Sequence, residues 1–247
     1  ILENRVVQNF PCRPVNHFVW HTGSPINVVV QDAGGFVNGL DAEGNIRREI
    51  SLSDFMVFEE NEGGFLSADG VYTMKLDASD AGIFSLLIDE IDEDGNVTSQ
   101  FKYQDVPITA SSTAVLELDP NVVEPMLLLD VEGDGIADFS IGSAQQPDFL
   151  ISLDVLVRIV SSIDTDSEFI KKLLHEISKI RKEVEKEKLM KARRELEKLI
   201  QKLEKEVDRN IGKGHKGDDD EDDAEEGNSR KQKISTSDAE MLIKIIQ

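Results

Sequence analysis

The sequence predicts an α+β multidomain chain, an N-terminal antiparallel β-sandwich followed by a small helical hairpin domain. Three observations carry this. Up to about Ile141, runs of four to eight residues rich in Val, Ile, Phe, Tyr and Thr alternate with Gly or Asp-Gly punctuation. After Pro147 the apolar residues recur every three to four positions instead. The charge divides at the same place: residues 1–149 hold 26 Asp+Glu against 6 Lys+Arg, whereas residues 150–211 hold 13 against 15.

Taken in order, "INVVVQD", "VYTMKLD", "IFSLLIDEI", "VTSQFKY" and "TAVLELD" read as strands, with turns at "DAEGN", "SADG", "DEDGN" and "DPN". Tyr72, Met74 and Leu76 alternate with Val71, Thr73 and Lys75, the period of a half-buried strand. About eight such strands without an intervening helix predict an antiparallel sandwich over residues 1–147. "NHFVWH" also reads as a strand, on which His17 and His21 share one face in a structural role.

Residues 148–211 predict the helical domain. Asp148 is placed to cap a helix through "FLISLDVLVRIVSSI", with Leu150, Leu153, Leu156 or Val157, and Val160 on its apolar face. Two further stripes follow, Ile170, Leu173, Leu174, Ile177, Ile180 and Val184, then Leu189, Ala192, Leu196, Leu199, Leu203 and Val207. They fit either one helix of about forty residues or a hairpin broken near Glu185 to Lys188, in which Ile177 and Leu196 face each other. Residues 212–233 carry no apolar side chain larger than Ala and predict a disordered acidic linker. Ser237 and Glu240 then suggest a capping box for a short helix in 234–247 that returns to the hairpin.

Composition excludes several functions. The acidic field of the first part argues against nucleic acid, whose phosphates need the opposite sign. The lone Cys12 permits no internal disulfide and no thiolate zinc cluster. No apolar run approaches the roughly 18 residues of a membrane span. The G-x-S-x-G, Walker and H-E-x-x-H signatures are absent, and His175 and His215 stand near no plausible nucleophile, so catalysis is not expected. The ends read as those of a segment from a longer protein.

"LLLDVEGDGIADFSI" raises the sharpest functional question. Laid on a 12-residue calcium loop, Asp130, Glu132 and Asp134 take positions 1, 3 and 5, Gly135 takes 6, Ile136 offers a carbonyl and Asp138 takes 9. The closing Glu is missing, because position 12 is Ile141. Two readings stand: an open calcium site between strands, or a hairpin with an acidic tip. Asp92, Asp94 and Asn96 in "DEDGN" form a weaker copy that reads better as a hairpin tip.

"SPINVVVQDAGG", "ADGVYTMKLDASDAGIFSLLI", "YQDVPITASSTAVLELDP" and "LLLDVEGDGIADFSI" resemble, in that order, Ig-like β-sandwich modules near the C-termini of secreted or cell-surface prokaryotic proteins. Residues 150–247 resemble the FIMAH domain, and "ISTSDAEMLI" matches its closing segment. In that family a glycine-containing turn separates the two long helices; it would fall near Glu187, where this chain has no glycine. The resemblance implies an extracellular, non-catalytic accessory module. Its expected partners are upstream domains of a parent protein and a cell-surface protein or polysaccharide. The alternative it implies is the regulatory or substrate-guiding tail of a secreted α/β-hydrolase whose catalytic domain lies elsewhere.

Overall fold

The computed structural model describes residues 16–23, 25–59, 61–143, 149–163, 167–211 and 234–246. Cys12, the Asp148 cap, His215 and the acidic stretch 212–233 lie outside them. The fold is α+β, with twelve strands among the described residues before the first helix. One antiparallel sheet has the order β5-β6-β1-β8-β9, built from β1 (His17–Gly23), β5 (Asp54–Phe58), β6 (Asn61–Ser67), β8 (Gly82–Ile91) and β9 (Val97–Ile108). The other has the order β12-β11-β10-β7-β2-β3-β4. It comprises β2 (Ile26–Asp32), β3 (Val37–Leu40), β4 (Ile46–Arg48), β7 (Tyr72–Ala78), β10 (Thr113–Leu118), β11 (Met126–Asp130) and β12 (Phe139–Gly142).

The expected alternation holds where it was legible: Tyr72, Met74 and Leu76 are buried, while Thr73 and Lys75 are not. The expected eight strands become twelve because β3, β4, β5 and β6 also form between β2 and β7. There β4 is wholly exposed and β6 carries Gly63-Gly64, so neither shows an apolar period. Gly64 is required by packing, since a Cβ there would stand 2.2 Å from the Asp54 carbonyl and 3.2 Å from the Trp20 indole nitrogen. That close approach seats Trp20 against Phe55, with ring centroids 6.0 Å apart.

Three hairpin tips share one device. In "DAGGF", "DAEGN" and "DEDGN", the side chains of Asp32, Asp41 and Asp92 accept backbone N–H groups two and four residues on. The glycine three residues on takes φ of 83°, 81° and 84° respectively, a left-handed conformation that a Cβ disfavours. Asp92 and Asn96 of "DEDGN" thus bond to each other's loop, as a hairpin tip requires. The Asn45 and Asn96 donors hold the Asp41 and Asp92 carboxyls below the ordinary aspartate range.

Hydrogen bonds also tie sheet to sheet. The Tyr72 hydroxyl donates to the Ser67 carbonyl at 2.9 Å, and the Tyr103 hydroxyl donates to the Pro125 carbonyl at 2.6 Å. The Val28 N–H donates to the Glu62 carboxylate at 2.5 Å, crossing from β2 to β6. Burial pushes the Glu62 carboxyl above its usual range despite that N–H.

Four helices follow: α1 (Phe149–Ser162), α2 (Ser167–Glu185), α3 (Leu189–Ile211) and α4 (Thr236–Ile246). The long apolar pattern is a hairpin, and the break falls at Lys186–Lys188. Glu187 there has φ 55°, while Glu187 N–H donates to Val184 O and Lys188 N–H to Glu183 O, both at 2.8 Å. These are the two bonds of a Schellman cap, with glutamate in the place glycine usually fills. Ile177 and Leu196 lie on facing helices, as expected. The ion pairs Lys191–Glu183 and Lys202–Glu176 link the two helices across the hairpin. The cap of α4 lies two residues before the expected one. Ser235 Oγ, not Ser237, accepts the Asp238 N–H at 3.0 Å, and Asp238, not Glu240, reaches back to it. Among the described residues, no helix is long and apolar enough to cross a membrane.

Two predictions follow from this packing. Glu187→Gly removes the cost of a left-handed glutamate and is expected to stabilise the chain by about 0.5–1 kcal/mol in thermal or urea unfolding. Because the Glu62 carboxyl is raised when folded, its contribution is full below the unfolded value of about 4.3 and is lost as pH rises through the folded value. Glu62→Gln keeps an oxygen for the Val28 N–H without the charge. It should therefore raise the melting temperature at pH 8 by more than at pH 4.

Candidate functional site

The end of β11 and the turn leading to β12 carry all five residues expected to ligate calcium. Asp130 is 5% exposed. Its Oδ1 accepts the N–H groups of Glu132 and Gly133 at 3.1 and 2.7 Å and more distantly that of Asp134 at 3.4 Å, and its Oδ2 accepts Gly135 N–H at 2.7 Å. Burial alone would raise this carboxyl. The amides of Gly135, Gly133, Asp134 and Glu132 together outweigh it and hold the group below the usual aspartate range. Asp130 therefore organises the loop from within.

Asp138 Oδ2 accepts the Val131 N–H at 2.8 Å, and its own N–H closes the turn on the Leu129 carbonyl at 2.8 Å. Asp134 bonds locally to the Ile136 N–H at 2.9 Å, and the Ile136 side chain is 71% exposed. Glu132 and Asp138 converge on one cation that belongs to the protein. Arg158, from α1, pairs through one guanidinium nitrogen with Glu132 and through the other with Asp138 at 3.1 Å. Among the described residues, no group of three or more His, Cys, Asp or Glu is arranged to hold a metal.

The loop is held from a third side as well. Thr109 Oγ1 and Ser112 Oγ both donate to the Val131 carbonyl, at 2.8 and 3.1 Å. Gly133, with φ 71°, passes so near the β9–β10 turn that a Cβ would lie 2.3 Å from the Ser111 carbonyl. A cleft of about 640 Å³ opens beside this contact, walled by Thr109, Ser111, Val157, Arg158 and Ser161.

Arg158 and Gly133 are the two residues of this site that the calcium-loop template missed. Gly135 does take positive φ, at 88°, but a side chain at that position would meet open space, so the packing constraint lies at Gly133. For Arg158 there was a signal. "FLISLDVLVRIVSS" is apolar except for Asp154, Arg158 and the serines, and a helix with so few charges uses them for specific partners. Asp154 indeed pairs with Arg181 of α2. One helix thus sends one charge to the helical unit and the other to the sandwich.

His17 and His21 lie on the outward face of β1, on either side of Val19. Comparisons with protein-family models, curated proteins and solved structures found no match to this chain.

Arg158→Met keeps the apolar stem and deletes the charge. It is expected to lower stability by about 1 kcal/mol at low ionic strength, because the pairs are partly exposed. Thermal unfolding in roughly 1 M salt should shrink the difference from wild type, since the Debye length there is about 3 Å.

Proposed function

We propose that this chain is a non-catalytic accessory module of a larger surface or secreted protein, one that carries a helical unit on a β-sandwich in fixed orientation. The observation that carries this reading is that α1 is tied by ion pairs both to the neighbouring helix and to the sandwich. The buried face of α1 joins the core, Asp154 reaches Arg181, and Arg158 reaches Glu132 and Asp138. A flexible tether would need no contact to either neighbour, whereas a spacer that presents neighbouring parts in one arrangement needs both. The ordered succession of sandwich segments and the closing "ISTSDAEMLI" helix supports the Ig-like and FIMAH-like assignment, and with it an extracellular setting.

Calcium enters this proposal as a competitor. Glu132 and Asp138 face a guanidinium, and Asp130 faces backbone amides, so a calcium ion has to displace Arg158 before it gains the Glu132 and Asp138 carboxylates. Two measurements test the reading. The purified chain is expected to turn over no ester, peptide or glycoside; a saturable rate abolished by one carboxylate substitution would overturn the non-catalytic assignment. Millimolar calcium is expected to give wild type no rise in melting temperature beyond that given by magnesium. A calcium-specific rise lost in Asp134→Ala would instead establish the open calcium loop.

A further inference from the structure

The outward face of the five-stranded sheet holds a groove of about 740 Å³, within the size range of ligand sites. The strand registers align Met56, Gly63, His21, Leu87 and Lys102 in one row across all five strands. Beside it, Phe58 pairs with Asn61 and Gly23 with Ser85. Gly63 on β6 and Gly23 on the neighbouring β1 supply the depression, because these two outward positions carry no side chain. Apolar groups stand where an outward face is ordinarily polar: Phe58 is 57% exposed and Met56 37% exposed.

The charge along the groove differs from that of the surrounding sandwich. In a region with 26 acids and 6 bases, the ionisable side chains that line it are His21, Lys102 and Glu62. Glu62 is 4% exposed and turned to the Val28 N–H, so among the described residues no lining carboxylate is presented to solvent.

We infer that this groove binds a neutral polysaccharide. The C–H faces of sugar rings rest on Phe58 and Met56, while Asn61, Gln104, Ser85 and His21 exchange hydrogen bonds with ring hydroxyls. A purely apolar occupant would bury those polar groups without partners, a costly arrangement. A polyanion or a second copy, each strongly negative, would meet the acidic field of the surrounding sandwich. This inference deepens the accessory-module reading and rests on it, with the module holding a glycan without cleaving it.

The test is affinity electrophoresis and calorimetry of the full chain against soluble β-glucan, xylan, mannan and dextran, with polygalacturonate and an apolar peptide pool as contrasts. At least one neutral glycan is expected to bind, with little dependence on salt. Phe58→Ala and Gln104→Ala should each weaken it about tenfold or more at unchanged melting temperature. Gly23→Thr provides a blocking variant, because a Cβ at Gly23 meets only Asn61 Oδ1, at 3.9 Å, and the fold tolerates it. It should abolish binding. No binding by any of the four neutral glycans would overturn the assignment, as would binding unaffected by Phe58→Ala and Gly23→Thr. Groove-dependent binding of polygalacturonate or the peptide pool in place of a neutral glycan would overturn it too. Cleavage of a bound glycan would refute the accessory reading while leaving the groove assigned.

Discussion

The architecture depends on the burial of α1. Five of its side chains, Leu153, Val155, Leu156, Ile159 and Val160, are buried. At roughly 1.5–3 kcal/mol each, their burial is worth on the order of 10 kcal/mol. Several neighbours share the covering: α2, α4 and β9 all pack against α1. The ionic anchors, one turn apart near the middle of the helix, are each worth about 1 kcal/mol or less. Burial therefore decides that α1 is enclosed, and Asp154 and Arg158 help to fix its rotation and register. Turning the helix about its axis would bring out part of that buried face and would also separate Asp154 and Arg158 from Arg181 and the Glu132–Asp138 pair.

The same division between bulk burial and a few specific bonds recurs in the sandwich. The two sheets share an apolar interior, while Tyr72, Tyr103 and Glu62 fix how one sheet lies over the other. At one side of the sandwich, Arg48 on β4 reaches Asp54 at 2.5 Å and the Phe55 carbonyl at 2.8 Å, joining the edge strands of the two sheets. A row of unpaired edge groups is an invitation to pairing with other chains, and this bridge occupies part of it.

Much of the acidity of the first 149 residues has a structural use that needs no ligand. Asp32, Asp41, Asp92 and Asp130 each gather the amides of a tight turn, and a carboxylate does this better than a neutral side chain because the accepted bonds are charge-assisted. Asp41, Asp92 and Asp130 have depressed carboxyl values when folded. Their contribution is present above the unfolded value of about 3.9 and disappears as pH falls through the folded values. Glu62 works in the opposite direction, so stability is drawn toward weakly acidic conditions from both sides.

The sequence by itself determined what periodicity and turn chemistry can determine. The change from period two to period 3.6 after Pro147 gave the α+β division, and Tyr72–Met74–Leu76 gave a buried strand face, because each follows from the backbone repeat of neighbouring residues. The hairpin break near Glu187 was marked by the weakness of the apolar stripe there and by the family resemblance, without the glycine that would have fixed it. Its glutamate cap could be seen only once both helices were packed. Strands β3 to β6 were illegible for a related reason: Gly63-Gly64 and the exposed β4 acquire sheet structure from partners, not from their own pattern. The acidic loop shows the limit most clearly. Its spacing fits a calcium template, yet the cation that faces Glu132 and Asp138 is Arg158, twenty residues beyond Asp138. A contact made across such a separation is set by how α1 docks on the sandwich, and only tertiary packing decides that.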